Sequence, residues 1–188
     1  VDPISASSEL KRKRVNSLYG KLSLSWASTY FLDVTGRNDW SSTLSKETRS
    51  YFYPSVSLSA VISEMLPKIG GSMPEWFPFA KVRASFAEVG NDLDPYQLYN
   101  NFTVGKDENG NTTAAPGNVL FDSTVRSELI KSWEAGFDVR FFNNRLGLDA
   151  AWYKTNATRQ LLNLPMDPFS GYSSRKVNAG NIQNEGVE

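Results

Sequence analysis

Three carboxylates close together in the sequence, Glu88, Asp92 and Asp94, are the first candidates for chemistry. A pair of carboxylates can hydrolyse glycosidic bonds, but only when the two groups face one another at a fixed separation. At the rim of a cavity the same side chains would instead hydrogen-bond a polar ligand. The chain has no histidine and no cysteine, which excludes Ser–His and Cys–His nucleophile pairs and thiolate zinc sites. We therefore predict no catalytic residue, no metal site and no cofactor site, in a protein that is not an enzyme.

An oxygen-rich stretch at residues 106–111, with the sequence KDENGN, suggests a calcium loop. In an EF-hand the glycine follows the third oxygen ligand, whereas here Gly110 precedes Asn111. The dipeptide Asn109-Gly110 is a strong signal for a hairpin turn. A turn is therefore the prediction for this stretch.

Aromatic residues among asparagines and threonines mark the long stretch between Asn91 and Ser132. Rings flanked by amides suit contact with sugars or peptides, or with a lid that covers them. The alternative is an aromatic mini-core that pins the stretch to its neighbours. Neither interpretation assigns a ligand-binding residue, so the ligand-binding residues stay unknown. The aromatic residues concerned are Tyr96, Tyr99, Phe102 and Phe121.

A run of four basic residues, Lys11, Arg12, Lys13 and Arg14, precedes the first apolar stretch. These charges would bind lipopolysaccharide phosphates or an acidic partner, or would extend a strand into solvent. A solvated strand extension is the more ordinary interpretation of such a short run.

The segments that carry these residues alternate between apolar and polar side chains, as strands do. The clearest is 132–153, where two arms flank a tight turn at 143–145. Each arm has about 9–11 residues, enough for a tilted strand to cross a bilayer, whereas soluble sandwich strands have roughly 5–6. The apolar faces of the two arms consist of Trp133, Ala135, Phe137, Val139 and Phe141, and of Leu146, Leu148, Ala150 and Trp152.

The same alternation predicts strands at 18–26, 30–35, 53–62 and 79–89, and the start of another near Val177. The total is six complete strands and a seventh that begins. Short connections at 27–29 and 143–145 alternate with long ones, as in transmembrane barrels. The connection at 63–78 is an exception, because it is long where a short turn is expected. Its prolines and glycines predict an irregular or briefly helical path.

Composition narrows the class of protein. The net charge is zero, from 20 basic and 20 acidic residues, which gives no support for a nucleic-acid partner. No apolar run approaches the ~20 residues of a transmembrane helix, but barrel strands are apolar on one face only. No signal peptide is visible at the start, and we expect the chain to be an internal part of a longer protein.

A series of motifs in order along the chain resembles one known family. The resemblance is to the C-terminal half of the barrel in SusC/RagA-family TonB-dependent outer-membrane transporters of Bacteroidetes. It covers nearly the whole chain, and several ordered motifs are far more specific than any one alone. The motifs are SLYGKL at 17–22, RNDWSSTL at 37–44, YPSVSLS at 53–59, KVRASFAEVGN at 81–91, WEAGFD at 133–138, FFNNRL at 141–146 and NAGNIQNEGVE at 178–188.

The resemblance implies an all-β fold, with about six to seven strands of a large antiparallel transmembrane β-barrel of about 22 strands. Residues 1–188 would be part of the C-terminal half of that barrel, without the plug domain and the TonB box. The implied function is TonB-dependent import of nutrients across the outer membrane, with this chain forming part of the wall and the extracellular loops.

The resemblance also implies partners. A SusD-like surface lipoprotein would close over the extracellular mouth and capture an oligosaccharide or peptide ligand. TonB would act through the missing N-terminal region, and the wall would contact outer-membrane lipid and lipopolysaccharide. The main alternative is a soluble carbohydrate-binding β-sandwich domain, with shorter strands and a second sheet over the apolar face.

Overall fold

Seven long strands form one antiparallel sheet in the computed structural model, which describes residue 8 and residues 10–188. The strands are β1 (Val15–Trp26), β2 (Tyr30–Ser41), β3 (Ser50–Val61), β4 (Phe79–Asn91), β8 (Glu128–Phe141), β9 (Leu146–Pro165) and β10 (Ser174–Val187). Consecutive long strands are neighbours, and their order in the sheet is β1-β2-β3-β4-β8-β9-β10. Three short strands lie between β4 and β8, namely β5 (Phe102–Lys106), β6 (Thr112–Pro116) and β7 (Val119–Leu120).

The register of the ladders brings apolar side chains together on one face of the sheet. Since successive side chains point to opposite faces, rows of opposite character alternate along the strands. We call the two sides the apolar face and the polar face. One row of the apolar face crosses all seven long strands through Leu24, Leu32, Leu58, Ala84, Ala135, Trp152 and Val187. The adjacent row of the polar face contains Ser23, Asp33, Ser57, Ser85, Glu134, Tyr153 and Gly186.

One end of the sheet, which we call the turn end, consists of the connections 27–29, 62–78 and 142–145. The two short turns have left-handed backbone conformations, which match the twist of paired strands. The third connection begins with a short helix, α1 (Ile62–Met65), and a 3-10 helix (Leu66–Ile69). It then reaches the turn at 142–145, where Phe142 N–H donates to the Trp76 carbonyl at 2.8 Å. The predicted briefly helical path is therefore confirmed.

The opposite end, the loop end, contains residues 10–14 and the connections 42–49, 92–127 and 166–173. The last of these includes a 3-10 helix (Pro168–Ser170). Within 92–127, β5 and β6 form a separate hairpin. The strand β7 runs parallel to β10 on the edge of β10 that faces away from β9, with Val119 opposite Ser174.

The sequence predicted the long strands correctly, since all seven are present and the seventh extends over Ser174–Val187. It did not predict β5, β6 and β7, and it ended several strands too early. The strand β9 continues to Pro165 rather than stopping at Tyr153. Beyond Tyr153 both faces of β9 are largely polar, so the apolar alternation disappears while the backbone hydrogen bonds continue. None of the helices in the described part of the chain is long and apolar enough to cross a membrane.

Candidate ligand-facing surface

The polar face carries an ion-pair cluster in the middle of the wall. The Arg83 guanidinium on β4 donates to both carboxylate oxygens of Asp149 on β9, at 3.0 and 2.8 Å. It also lies 3.5 Å from Glu134 on the intervening strand β8. The crossing is possible because Gly136 faces Arg83, and a Cβ on Gly136 would lie 3.1 Å from the guanidinium. Such a cluster presents fixed charge of both signs to the space above the polar face.

A second cluster lies nearer the loop end, where Asp39 is the shared acceptor. Arg37 Nε donates to Asp39 at 2.8 Å, and the Tyr53 hydroxyl donates to the same carboxylate. The Arg37 guanidinium also lies over the Tyr53 ring, 5.8 Å from its centroid. These three residues make a preorganised polar patch, since each side chain is held by at least one of the others.

Asp92 joins three segments of the loop end. Its carboxylate accepts hydrogen bonds from Lys13, from the Ser41 hydroxyl and from the Thr43 hydroxyl. The side chain is only 6% exposed, and this burial acts to raise the pKa of Asp92. The hydrogen bonds from Lys13 and Ser41 outweigh burial, so the pKa lies below its ordinary value. The carboxylate therefore stays charged and ties the basic segment 10–14 to β2 and β4.

A small apolar core supports this arrangement. Leu44, Leu93 and Val125 are buried against one another, the first from the connection 42–49 and the other two from the two ends of the connection 92–127. Tyr51 at the start of β3 packs on this cluster, as does Leu161 of β9. The Thr48 hydroxyl adds a hydrogen bond to the Val125 carbonyl at 3.0 Å. We call the three buried residues the loop core, and they hold the long connection 92–127 over the sheet.

The hairpin β5–β6 projects from the loop end. Its residues are exposed along its whole length. On one of its faces, Phe102 lies opposite Pro116 and Val104 lies opposite Ala114. An exposed apolar surface on a projecting hairpin is typical of a contact site for another molecule.

The three sequence-predicted carboxylates do not form a shared site. Glu88 pairs with Lys131 at 2.8 Å, Asp92 has the partners given above, and Asp94 is exposed. No group of three or more acidic side chains within residues 8 and 10–188 could hold a metal ion. Glu88 lies within β4, whereas Asp92 and Asp94 follow the end of that strand at Asn91, so the three side chains have different surroundings.

The stretch 106–111 is a turn, as predicted. One Asp107 oxygen accepts the backbone N–H groups of Asn109 and Asn111, at 2.9 and 2.8 Å, and Gly110 has a positive φ of 81°. Hydrogen bonds from the Asn111 side-chain amide and, next, from the Asn111 backbone N–H lower the pKa of Asp107 below its ordinary value. The Asp107 carboxylate therefore stabilises the turn.

The aromatic mini-core did not form. Tyr96, Tyr99 and Phe102 are 60%, 66% and 61% exposed, while Phe121 is half-buried. The loop core, rather than these rings, holds the long connection on the sheet. The exposed rings are accessible to a ligand or a partner.

The four basic residues 11–14 extend β1 as an exposed segment. The Arg14 backbone pairs with Ser42, whose N–H donates to the Arg14 carbonyl at 2.9 Å. This agrees with a strand extension, although Lys13 is also bound to Asp92. The ion pair between Arg83 and Asp149 was not predicted from the sequence, although the alternation places both side chains on the polar face.

These features define a class of protein. A sheet of long antiparallel strands, with a fully apolar row on one face, a polar face opposite and long loops at one end, is a segment of membrane β-barrel wall. In the part of the chain that the structure describes, the only other sheet is the exposed two-stranded hairpin β5–β6, which is not the second layer of a β-sandwich. The family model "TonB dependent receptor-like, beta-barrel" matches residues 1–188, and the chain belongs to this family of outer-membrane receptors.

Individual relatives agree with that assignment. The chain is 31% identical to TonB-dependent receptor P3 of Formosa agariphila over 97% of its own length and 18% of the relative's. It is 28% identical to TonB-dependent receptor P26 of the same organism over 93% of its own length and 18% of the relative's. The chain therefore spans about a fifth of the length of these curated relatives. The sequence-based recognition of a TonB-dependent barrel and its outer-membrane location are confirmed.

Solved structures share the fold. The RagAB peptide importer in its closed-closed state superposes with a TM-score of 0.82 at 22% identity, over 92% of this chain and 19% of the other. The siderophore receptor PirA of Pseudomonas aeruginosa superposes with a TM-score of 0.60 at 17% identity, over 94% of this chain and 30% of the other. At these identities the likeness concerns the barrel fold.

Proposed function

We propose that this chain forms part of the wall and of the extracellular loops of a TonB-dependent nutrient importer. The observation that carries the proposal is the pair of adjacent rows across seven strands, one wholly apolar and one polar. The apolar face contacts lipid, and the polar face lines the barrel interior. The loop end faces the cell exterior, since long loops lie on that side of such barrels.

The complete protein supplies the remaining parts of the machine. Residues 1–188 belong to the C-terminal half of the barrel, and a plug domain and a TonB box lie outside them. TonB acts through that N-terminal region, and the wall adds no catalytic step. The share of the relative that the chain covers, 18%, supports its being one part of a larger receptor.

The cargo is a polar nutrient, an oligosaccharide or a peptide. The clusters around Arg83 and Asp39 offer charged and hydroxyl groups to such a ligand, and the exposed Tyr96 and Tyr99 offer aromatic rings. Both ligand classes present amide or hydroxyl groups that these side chains would hydrogen-bond. Transport of labelled oligosaccharides and of labelled peptides by cells with and without the receptor distinguishes the two.

A SusD-like surface lipoprotein docks on the hairpin β5–β6. The exposed Phe102 and Val104 lie on one face of the hairpin, while Thr103 lies on the other. In the complete receptor, Phe102→Ser with Val104→Ser should reduce both lipoprotein co-purification and nutrient uptake. Thr103→Ser is the matched control and should change neither. Uptake that survives deletion of the receptor gene would contradict the importer itself, whereas intact co-purification in the double variant would contradict only the docking surface.

A further inference from the structure

The connection 62–78 at the turn end is long where a barrel wall needs only a short turn, and its first half is fixed to the turn at 27–29. The Lys68 ammonium donates to the Ala27 carbonyl and, at 2.5 Å, to the Thr29 hydroxyl. Thr29 is fully buried, and its carbonyl accepts the Val61 N–H at 2.8 Å. The two short helices of the connection are therefore held beside the β1–β2 turn.

A cavity of about 250 Å³ lies between these helices and the turn. We call it the turn pocket. Its walls are mostly apolar or aromatic, and Lys68 is the one charged residue of the lining within residues 8 and 10–188. The other side chains that matter for binding are Trp26, Tyr30, Met65 and Ile69. Apolar walls with a single cation fit a ligand that has an apolar part and one anionic group.

The turn pocket opens on the apolar face of the sheet. Trp26 lies opposite Tyr30 in the last pair of the β1–β2 ladder, two positions beyond the pair of Leu24 with Leu32. Residues two positions apart in a strand share a face, so both aromatic rings continue the apolar face. Their centroids lie 5.9 Å apart. The pocket is therefore continuous with the surface that the proposed function places against lipid.

The depth of the turn pocket corresponds to the boundary of the hydrocarbon core. Along β1 the apolar face runs from Leu18 to Trp26, which matches the about 9–11 residues of a tilted strand that crosses a bilayer. The Lys68 ammonium binds the carbonyl of Ala27, the residue after Trp26, and so lies in the headgroup layer, which extends about 5–8 Å beyond the core. Since the loop end faces the cell exterior, this layer belongs to the periplasmic leaflet.

The apolar side chains around the turn pocket are open to their surroundings. Trp26 and Ile69 are 75% and 70% exposed. Contact of such side chains with water is unfavourable, by roughly 25 cal/mol for each Å² of apolar surface. Because the pocket continues the lipid-facing surface, the acyl chains of the bilayer are the available cover for these side chains.

The Lys68 ammonium has a donor to spare for an anionic group. A lysine ammonium has three N–H donors, and its acceptors among the described residues are the Ala27 carbonyl and the Thr29 hydroxyl. The acidic residues of the connection, Glu64 and Glu75, do not line the pocket. A charge-assisted hydrogen bond to a phosphate oxygen is about twice as strong as one between neutral groups.

We propose that the turn pocket binds a phospholipid of the periplasmic leaflet, with one acyl chain against Trp26 and Ile69 and the phosphate at Lys68. The inference rests on the proposed function, because it takes the apolar face to be the lipid-facing one. A short turn would supply neither Ile69 nor Lys68, so the long connection 62–78 provides two walls of the site.

The first measurement locates the lipid in cells that carry the complete receptor. A photoreactive residue in the variant Ile69→p-benzoylphenylalanine should crosslink to phospholipid on illumination, because it faces acyl chains. The control is Leu10→p-benzoylphenylalanine, since Leu10 is 69% exposed at the loop end, where no phospholipid is expected. Mass spectrometry identifies the adducts. Phospholipid adducts that are missing at Ile69, or equally abundant at Leu10, would overturn the proposal.

The second measurement tests the phosphate contact. The delipidated receptor in detergent is titrated with phosphatidylglycerol and with diacylglycerol of the same acyl chains, which lacks the phosphate. Loss of a charge-assisted hydrogen bond should make Lys68→Gln bind phosphatidylglycerol about tenfold more weakly and diacylglycerol equally well. Lys68→Arg should recover most of the affinity. Lys46→Gln is the matched control, because Lys46 is exposed at the opposite end of the sheet.

The apolar wall is tested in the same titration. Met65→Ser with Ile69→Ser should weaken the binding of both lipids, whereas Leu10→Ser should change neither. Unchanged phosphatidylglycerol affinity in Lys68→Gln would overturn the proposal, as would an equal loss for both lipids, which would indicate a purely structural role for Lys68.

Heat-modifiable migration in gels reports whether each variant is a folded barrel. A receptor absent from the outer-membrane fraction would contradict the proposed function itself. An inserted receptor whose phospholipid binding does not depend on Lys68 would contradict only the turn pocket.

Discussion

In the middle of the sheet the large apolar side chains are exposed, whereas at the loop end Leu44, Leu93 and Val125 form a buried core. Leu22 and Leu58 are 55% and 51% exposed, and Leu44 and Leu93 are 4% and 2% exposed. The middle is held by its backbone ladders and leaves its apolar rows to the bilayer. The loop end has its own apolar core and an ion pair between the buried Asp92 carboxylate and the exposed Lys13. The apolar face of the sheet therefore relies on lipid where a soluble protein has an interior, whereas the loop end relies on its own core.

The largest expected effect tests the assignment of the two faces. Leu58→Arg places a charge on the apolar row, and should destabilise the complete receptor by about 2–4 kcal/mol if it lies near the bilayer midplane. Ser57→Arg, one position away on the polar row, should cost much less. Urea unfolding in lipid vesicles measures both, and equal losses would contradict the assignment. Ser57 is a better polar-face position for this test than Asp149, because a substitution at Asp149 would also break its ion pair with Arg83.

The second effect belongs to the loop core. Leu93→Ala removes a fully buried side chain and should destabilise the fold of 92–127 by about 2–3 kcal/mol, at the low end for such changes because a small core can collapse. Hydrogen exchange should accelerate across that connection and stay unchanged in the middle of the sheet. Val104→Ala on the exposed hairpin is the control. A loss spread evenly over all strands would show that the two regions are not independent.

A smaller effect is expected at the buried carboxylate. Asp92→Asn keeps the shape but removes the charge that Lys13 and Ser41 bind, and should cost about 1–3 kcal/mol of local stability. Asp94→Asn is the matched control, because Asp94 is exposed. Protease sensitivity of residues 10–14 measures the release of that segment. Equal sensitivity in the two variants would remove Asp92 from its role as the link between segments.

The smallest effect is a pH dependence confined to the loop end. Hydrogen bonds from the Thr124 hydroxyl and backbone, followed by one from Arg175, lower the pKa of Asp122 to about 2. A carboxyl with a lowered pKa stabilises the folded state above its ordinary pKa, and that contribution is lost as the pH falls from about 4 to 2. Pepsin cleavage near residue 122 should rise over this range. The step should be absent in Asp122→Asn, and its persistence there would assign it to another group.

The sequence predicted the membrane-spanning part far better than the loop end, for a physical reason. Between water and lipid each strand must alternate, so residues such as Leu22 and Leu148 show their faces directly. Outside the bilayer both faces of a strand contact water. The apolar–polar alternation that would reveal the extension of β9 to Pro165 is therefore absent. Pro67, Gly70 and Gly71 nevertheless indicated the irregular path at the turn end.

The contacts of the candidate surface were harder to predict. Whether Arg83 reaches Asp149 depends on the space at Gly136, which appears only when three strands are aligned. The loop core joins Leu44, Leu93 and Val125 across long stretches of sequence, and no periodicity connects them. Single residues with clear local rules, such as Gly110 in its turn, were predicted correctly.

The short strand β7 has a consequence for how a closed barrel is assembled. It occupies the free edge of β10 at Ser174 and Arg175, the positions nearest the cell exterior. In the proposed complete barrel, the next wall strand can pair with β10 only from the Val187 end up to the residues that β7 already occupies. The strand β7 would thus limit the registers that an incoming strand can adopt along β10.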